Sequence, residues 1–237
     1  MKKGFTLAEV LVTLGIIGVV AALTTPALIQ NVGNAKIPPR LQKAKATWEV
    51  AAEMLLNEEN SNTITGVTMD AELLGRKMSK FMKITKTKHD ENGNYDYNYY
   101  NGNNSINANH VEGTLGMRFD SDDGVIFYIP YLTNSNHVPE GVKNIPRNQK
   151  IGILVVDING TQQPNVIGKD TFYFNLYNDG SLRPYGSKSA NAVDVPNSKF
   201  HWDKDGHQEY QCNEDTVYDG KGCTGSIFDN GMKIIYQ

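Results

Sequence analysis

Cysteine is scarce in this chain of 237 residues: Cys212 and Cys223 are its only two, too few for the disulfide framework that defines a small secreted scaffold. Two do suffice for one staple in an exported protein. A basic excess is missing as well. Lysine and arginine number 23 against 26 aspartates and glutamates, a formal net charge of −3, so the charge that draws a protein to nucleic acid is absent and no nucleic-acid partner is predicted. No nucleophile elbow, HExxH helix or P-loop occurs, and the chain is read as non-catalytic. Gly220-Lys221-Gly222-Cys223-Thr224-Gly225 spells G-x-G-x-x-G, but no strand precedes it and no crossover unit follows, so it is not read as a dinucleotide site. An apolar content of 39% with 21% charged residues allows one ordinary core, with no need for a second domain of similar size.

From Val10 to Ile29 runs a stretch of 20 residues without a charge. As a helix it spans about 30 Å, the thickness of a bilayer core. Met1-Lys2-Lys3-Gly4 precedes it, followed by Phe5-Thr6-Leu7-Ala8-Glu9. A carboxylate therefore stands at the edge of an apolar helix, where insertion costs up to roughly 2.5–3.5 kcal/mol at the helix centre and less near the interface. Such a residue calls for a partner.

Gly4-Phe5-Thr6-Leu7-Ala8-Glu9 and the apolar run behind it resemble the N-terminal signature of type IV pilins and type II secretion pseudopilins. The resemblance implies cleavage between Gly4 and Phe5 by a prepilin peptidase, methylation of the new N-terminus at Phe5, and assembly in which Glu9 faces the α-amine of a neighbouring subunit. Pro26 fits the same pattern as a residue of the assembly helix, where a proline removes one backbone bond and permits a kink. Further partners implied are like subunits in a helical filament, an assembly ATPase, an inner-membrane platform protein, and membrane lipid before assembly. The implied location is a single-pass inner membrane protein with an extracytoplasmic head, and then a periplasmic or extracellular filament. A type II secretion-like pseudopilus is the first reading and a type IV pilus for adhesion, motility or DNA uptake the second. A membrane-tethered binding module is the alternative of another class.

An ordinary signal peptide also has Lys2 and Lys3 before an apolar core and small residues such as Ala21, Ala22 and Ala27 for cleavage, but Glu9 spoils that core. Charge counting opposes the topology: Lys36, Arg40, Lys43 and Lys45 outnumber Lys2 and Lys3. The head is placed outside on the resemblance and the cysteine pair.

The fold class read from the chain is α+β: a long N-terminal hydrophobic helix, kinked at Pro26 and Pro38-Pro39, packed on a C-terminal antiparallel sheet. Residues 1–4 form the leader, 5–30 the transmembrane and filament-core helix, 31–60 an amphipathic stem, and 61–237 the head. Pro38-Pro39 is expected to interrupt a continuous helix, with a bend near Ile37. Leu41, Ala44, Trp48, Ala51, Ala52 and Leu55 recur at helical spacing and should face the sheet. A second helix is predicted over Met69 to Met82, burying Leu73, Leu74, Met78 and Phe81. His89 to Gly113, rich in Asn, Gly and Tyr, reads as a long surface loop. Four or five strands are predicted: Leu115 to Phe119, Val125 to Ile129, Ile151 to Asp157, Thr171 to Tyr177 and Ser181 to Arg183.

Asp157, Asn159 and Asp170 bring hard oxygen ligands of the kind calcium takes. Their spacing is not an EF-hand, and a capped, hydrogen-bonded loop is the competing reading. Asp120, Asp122 and Asp123 read as a solvated hairpin turn. His201, His207, Cys212 and Cys223 fit no common zinc spacing. In an oxidising compartment Cys212 and Cys223 are expected to bridge each other.

Overall fold

The computed structural model describes residues 4, 6–90, 97–99, 106–108, 116–132, 145–160, 162, 167–187 and 222–234. The chain divides into two compact units, Met1–Ile37 and Pro38–Gln237.

Helix α1 spans Leu7–Glu58, 52 residues. Helical structure continues through Pro26 and through Pro38-Pro39, so the interruption expected at the proline pair does not occur. An interior proline ordinarily costs about 3 kcal/mol or more through a lost bond and a clash. Here the carbonyls left without helical donors belong to Asn34, half-buried, and Ala35, exposed.

The second unit is built on the buried stripe of α1. Leu41, Ala44, Trp48, Ala51, Ala52 and Leu55 are all at most 2% exposed. The Trp48 ring lies 6.2 Å from that of Phe127 on the sheet. Small residues at 51 and 52 let the sheet approach: Gly180, at φ +84°, would carry a Cβ only 2.7 Å from that of Ala52. Glu49 adds a polar tie, its Oε1 accepting the Leu182 N–H at 2.8 Å while Lys45 holds the same carboxylate.

Two short helices follow, α2 (Ile64–Val67) and α3 (Ala71–Met78). Asp70 caps α3, its Oδ1 accepting the N–H groups of Glu72 and Leu73. This is the helix predicted over 69–82, shorter at both ends. Leu74 and Met78 are buried as expected, but Leu73 is 43% exposed and Phe81 half-buried, because the helix stops at Met78. Gly75 faces the sheet so closely that a Cβ there would fall 1.7 Å from Phe119 Cζ.

The main sheet has six antiparallel strands rather than four or five, in the order β1-β4-β5-β6-β7-β8. They are β1 (Ile84–Asp90), β4 (Gly116–Ser121), β5 (Ile126–Leu132), β6 (Lys150–Asp157), β7 (Thr171–Tyr177) and β8 (Leu182–Pro184). A separate pair, β2 (Tyr97–Tyr99) with β3 (Ile106–Ala108), is also antiparallel. The segment expected as a loop over 89–113 therefore holds the end of β1 and this pair; its remaining residues lie outside those described.

Successive side chains of β5 to β7 point to opposite faces. Phe127 meets Trp48 on one face, and Tyr128, Val155, Tyr173 and Ile167 cluster on the other. Helix α4 (Cys223–Asp229) adjoins β7 and β8: Thr224 Oγ1 accepts the Tyr173 N–H, and the Gly225 N–H donates to Tyr185 O. Gly225 is required there, since a Cβ would lie 2.2 Å from the Gly186 backbone. Gly222 to Gly225 thus opens this helix.

Asn178 is the polar keystone of the second unit, fully buried at the β7–β8 turn. Its Oδ1 accepts the Thr65 N–H at 2.9 Å, and its Nδ2 donates to Ile145 O at 2.6 Å. Asn178→Ala leaves a buried donor and acceptor unpaired, about 1–3 kcal/mol each. Urea unfolding is expected to show a loss of about 2–5 kcal/mol, with Asn178→Asp no better because a carboxylate cannot donate to Ile145 O.

Candidate functional site

The functional N-terminus is organised by how its few polar groups are satisfied. Leu7–Thr25 has a mean hydropathy of 2.3, is long and apolar enough to cross a membrane, and is wholly uncovered. Within it the Thr13 hydroxyl donates to Glu9 O and Val10 O, and the Thr24 hydroxyl to Val20 O, each at 2.9 Å. Hydroxyls bonded back to their own helix suit hydrocarbon, where no water completes them.

Glu9 is bonded within its own chain too. Both the backbone N–H and the hydroxyl of Thr6 donate to Glu9 Oε2 at 2.8 Å, and the Glu9 N–H donates to Thr6 Oγ1 at 3.3 Å. This is a reciprocal capping box with Thr6 as N-cap and Glu9 three residues on. Thr6 was not singled out from sequence, although Thr-x-x-Glu before an apolar run is the signal for it. Gly4 is exposed, with nothing within 4 Å of an added Cβ. Phe5 lies outside the described residues.

The β6–β7 connection brings Asp157, Asn159 and Asp170 together. Asp157, 2% exposed, accepts the N–H groups of Asn159 and Gly160 on Oδ1 at 3.0 and 2.8 Å. Asn159 Nδ2 donates to Asp170 Oδ2 at 3.1 Å, and the Ile158 N–H to Asp170 O at 2.8 Å. The capped-loop reading accounts for these bonds. It leaves Asn159 Oδ1 buried without a partner among the described residues, and it leaves two aspartates in electrostatic contact. Burial, then the Asp170 carboxylate, push the Asp157 carboxyl up to about 7, against the pull of the Asn159 and Gly160 N–H groups and of Arg118. Arg118 is itself paired with Asp120, Nε to Oδ1 at 2.5 Å. The donor set suits a hard cation in kind: two carboxylates and an amide oxygen. No cluster of three or more His, Cys, Asp or Glu is gathered among the described residues.

The acidic turn is not merely solvated. Asp123 is paired with Lys43 of α1 at 2.6 Å, and Asp122 lies 3.8 Å from Lys83. Cys223 is buried at the start of α4 and disulfide-bonded. Cys212, His201 and His207 lie outside the described residues.

Residues 1–25 match the family described as the prokaryotic N-terminal methylation motif. A fimbrial protein of Neisseria meningitidis serogroup B is 29% identical over 91 residues, covering 37% of this chain and 51% of that protein. The chain is type IV pilin-like. The match spans about half the length of the curated relative, and no solved structure matches. In this pilin-like chain the matched motif contains Gly4, Thr6 and Glu9, so the capping box sits inside the segment that defines the likeness.

Proposed function

We propose that this chain is a non-catalytic structural subunit of a type II secretion-like pseudopilus, cut between Gly4 and Phe5, methylated on Phe5 and polymerised through α1. The carrying observation is an uncovered apolar helix, Leu7–Thr25, that begins with a carboxylate and lies within a methylation motif. Such a helix needs lipid first and other helices afterwards. Glu9 then meets the α-amine of a neighbour's Phe5, and Pro26 gives the helix local freedom during packing. Prepilin peptidase, an assembly ATPase and a platform protein in the inner membrane are the proposed partners, with the head extracytoplasmic. Cys223 is proposed to bridge Cys212, the chain's other cysteine. Calcium is the proposed occupant of the β6–β7 loop, held by Asp157, Asn159 and Asp170.

Likeness to a fimbrial protein favours a second reading, a type IV pilus pilin. N-terminal mass spectrometry of the mature protein and shearing of the cells test both. N-methyl-Phe5 is expected; a mature chain beginning within or after the apolar run overturns filament assembly. Secretion lost on deletion, with little sheared surface filament, supports the pseudopilus, whereas abundant surface filament with secretion intact supports the pilus.

A further inference from the structure

Helix α1 ends in a turn that leaves an uncharged cleft beside it. The Glu59 and Ser61 N–H groups close the last turn on Leu55 O and Leu56 O, each at 3.0 Å, and Asn60 takes the left-handed conformation, φ +49°, that lets the chain leave the helix. The next residues are fixed by hydroxyls. Ser61 Oγ donates to Thr63 O at 2.8 Å and accepts the Thr63 N–H at 3.2 Å, while Thr63 Oγ1 accepts the Gly66 N–H at 3.2 Å. Gly66 leaves room for these hydroxyls, since a Cβ there would lie 2.6 Å from Ser61 Oγ and 2.9 Å from Thr63 Oγ1. The Ile64 and Thr65 N–H groups tie the turn to buried Asn178, so its shape is set by the head's own polar core. Between helix end and turn lies a cleft of about 610 Å³, within the roughly 300–1,000 Å³ of small-ligand sites.

The lining selects a class of ligand. Asn57, Asn60 and Asn62 line the cleft, and their side chains make no hydrogen bond among the described residues. Each carboxamide offers two donors and an acceptor, the complement of a sugar hydroxyl, which both donates and accepts. Leu56, 7% exposed, adds an apolar patch for the C–H face of a ring. None of the lining residues is charged, and the neighbouring Glu58 and Glu59 are paired with Lys80 and Lys77. The carbonyl end of the α1 dipole disfavours an anion. A divalent cation lacks the carboxylates it takes, and a nucleobase lacks a ring to stack on. We infer that this cleft binds a neutral saccharide, held by the carboxamides of Asn57, Asn60 and Asn62 over Leu56. It gives the head a ligand of its own and does not depend on how the N-terminus is processed or assembled.

The test uses the full chain with isotope-labelled asparagine in lipid nanodiscs, because a glucoside or maltoside detergent would itself compete for the cleft. Glucose, galactose, N-acetylglucosamine and cellobiose are titrated separately, and the side-chain amide resonances of Asn57, Asn60 and Asn62 are followed by NMR. At least one saccharide is expected to shift these resonances saturably. Asn57→Ala combined with Asn62→Ala should weaken its binding at least about tenfold and leave the melting temperature unchanged, since neither side chain has a partner to lose. Asn60→Gly keeps the left-handed turn while deleting its carboxamide, and should weaken binding as well. Wild-type resonances that none of the saccharides moves overturn the inference. Undiminished affinity in the double variant and in Asn60→Gly overturns it too, by putting the sugar elsewhere. So does a response to calcium chloride or sodium sulfate in place of saccharide, which would make the cleft an ion site.

Discussion

Gly4→Leu is expected to leave the chain at full length in the membrane, with the first four residues still attached and Phe5 unmethylated. The structure makes this a clean test. An added Cβ at Gly4 meets nothing within 4 Å, and its backbone is not in the left-handed region that favours glycine. Leucine therefore costs the protein's own fold nothing there, and a maturation defect reports what the processing enzyme demands. A peptidase that reads a glycine at the cut excludes a four-carbon branched side chain by sterics, an effect close to all-or-none. Mass spectrometry of membrane-extracted protein decides it. A Gly4→Leu chain that starts at N-methyl-Phe5 in wild-type amount refutes processing through this motif. Gly4→Ala, the smallest step, should mature in part and show that size governs the defect.

The stem stripe was legible because burial on one side of a helix leaves a 3.6-residue period: Leu41, Ala44, Trp48, Ala51, Ala52 and Leu55 are all buried. Strand β6 was legible as an apolar run and β7 as an alternating one, although every residue of β7 is buried. Strand β1, Ile-Thr-Lys-Thr-Lys-His-Asp, was not. Among the described residues it pairs with β4 alone, at the edge of the sheet, and its polar sequence carries no hydrophobic signal. The pair Pro38-Pro39 did not end the helix, because the local rule against proline is a cost that the rest of the protein can outweigh. The acidic turn was recognised as a turn, but its pairing with Lys43, 80 residues away, is decided by the docking of α1. At the N-terminus Thr6 and Glu9 have capping-box spacing, so the partner three residues from Glu9 is legible in the sequence.

Between pH 4 and 8 in the presence of a chelator, Asp157 is expected to contribute a destabilisation of the head on the order of 4 kcal/mol, read as the stability of wild type relative to Asp157→Asn. The sign follows from proton binding. In the unfolded chain Asp157 ionises near its ordinary value of 3.8, whereas in the fold its carboxyl is pushed up to about 7 by burial and then by Asp170. Between those values the folded state holds more protons than the unfolded, so stability falls as pH rises, by about 1.4 kcal/mol for each pH unit. Below the lower value the penalty is absent, and above the upper one it is fully present. Asparagine keeps an oxygen for the N–H groups of Asn159 and Gly160 but cannot ionise, so Asp157→Asn should match wild type near pH 4 and exceed it at pH 8. Millimolar calcium answers the same charge by another route. If the loop holds the ion, calcium raises the melting temperature of the wild type at pH 8 and leaves Asp157→Asn nearly unmoved, because a neutral amide replaces one of two carboxylates. A stability difference between wild type and Asp157→Asn that does not change from pH 4 to 8 refutes the buried charge. A steep pH dependence without any calcium response keeps the charge and refutes the ion.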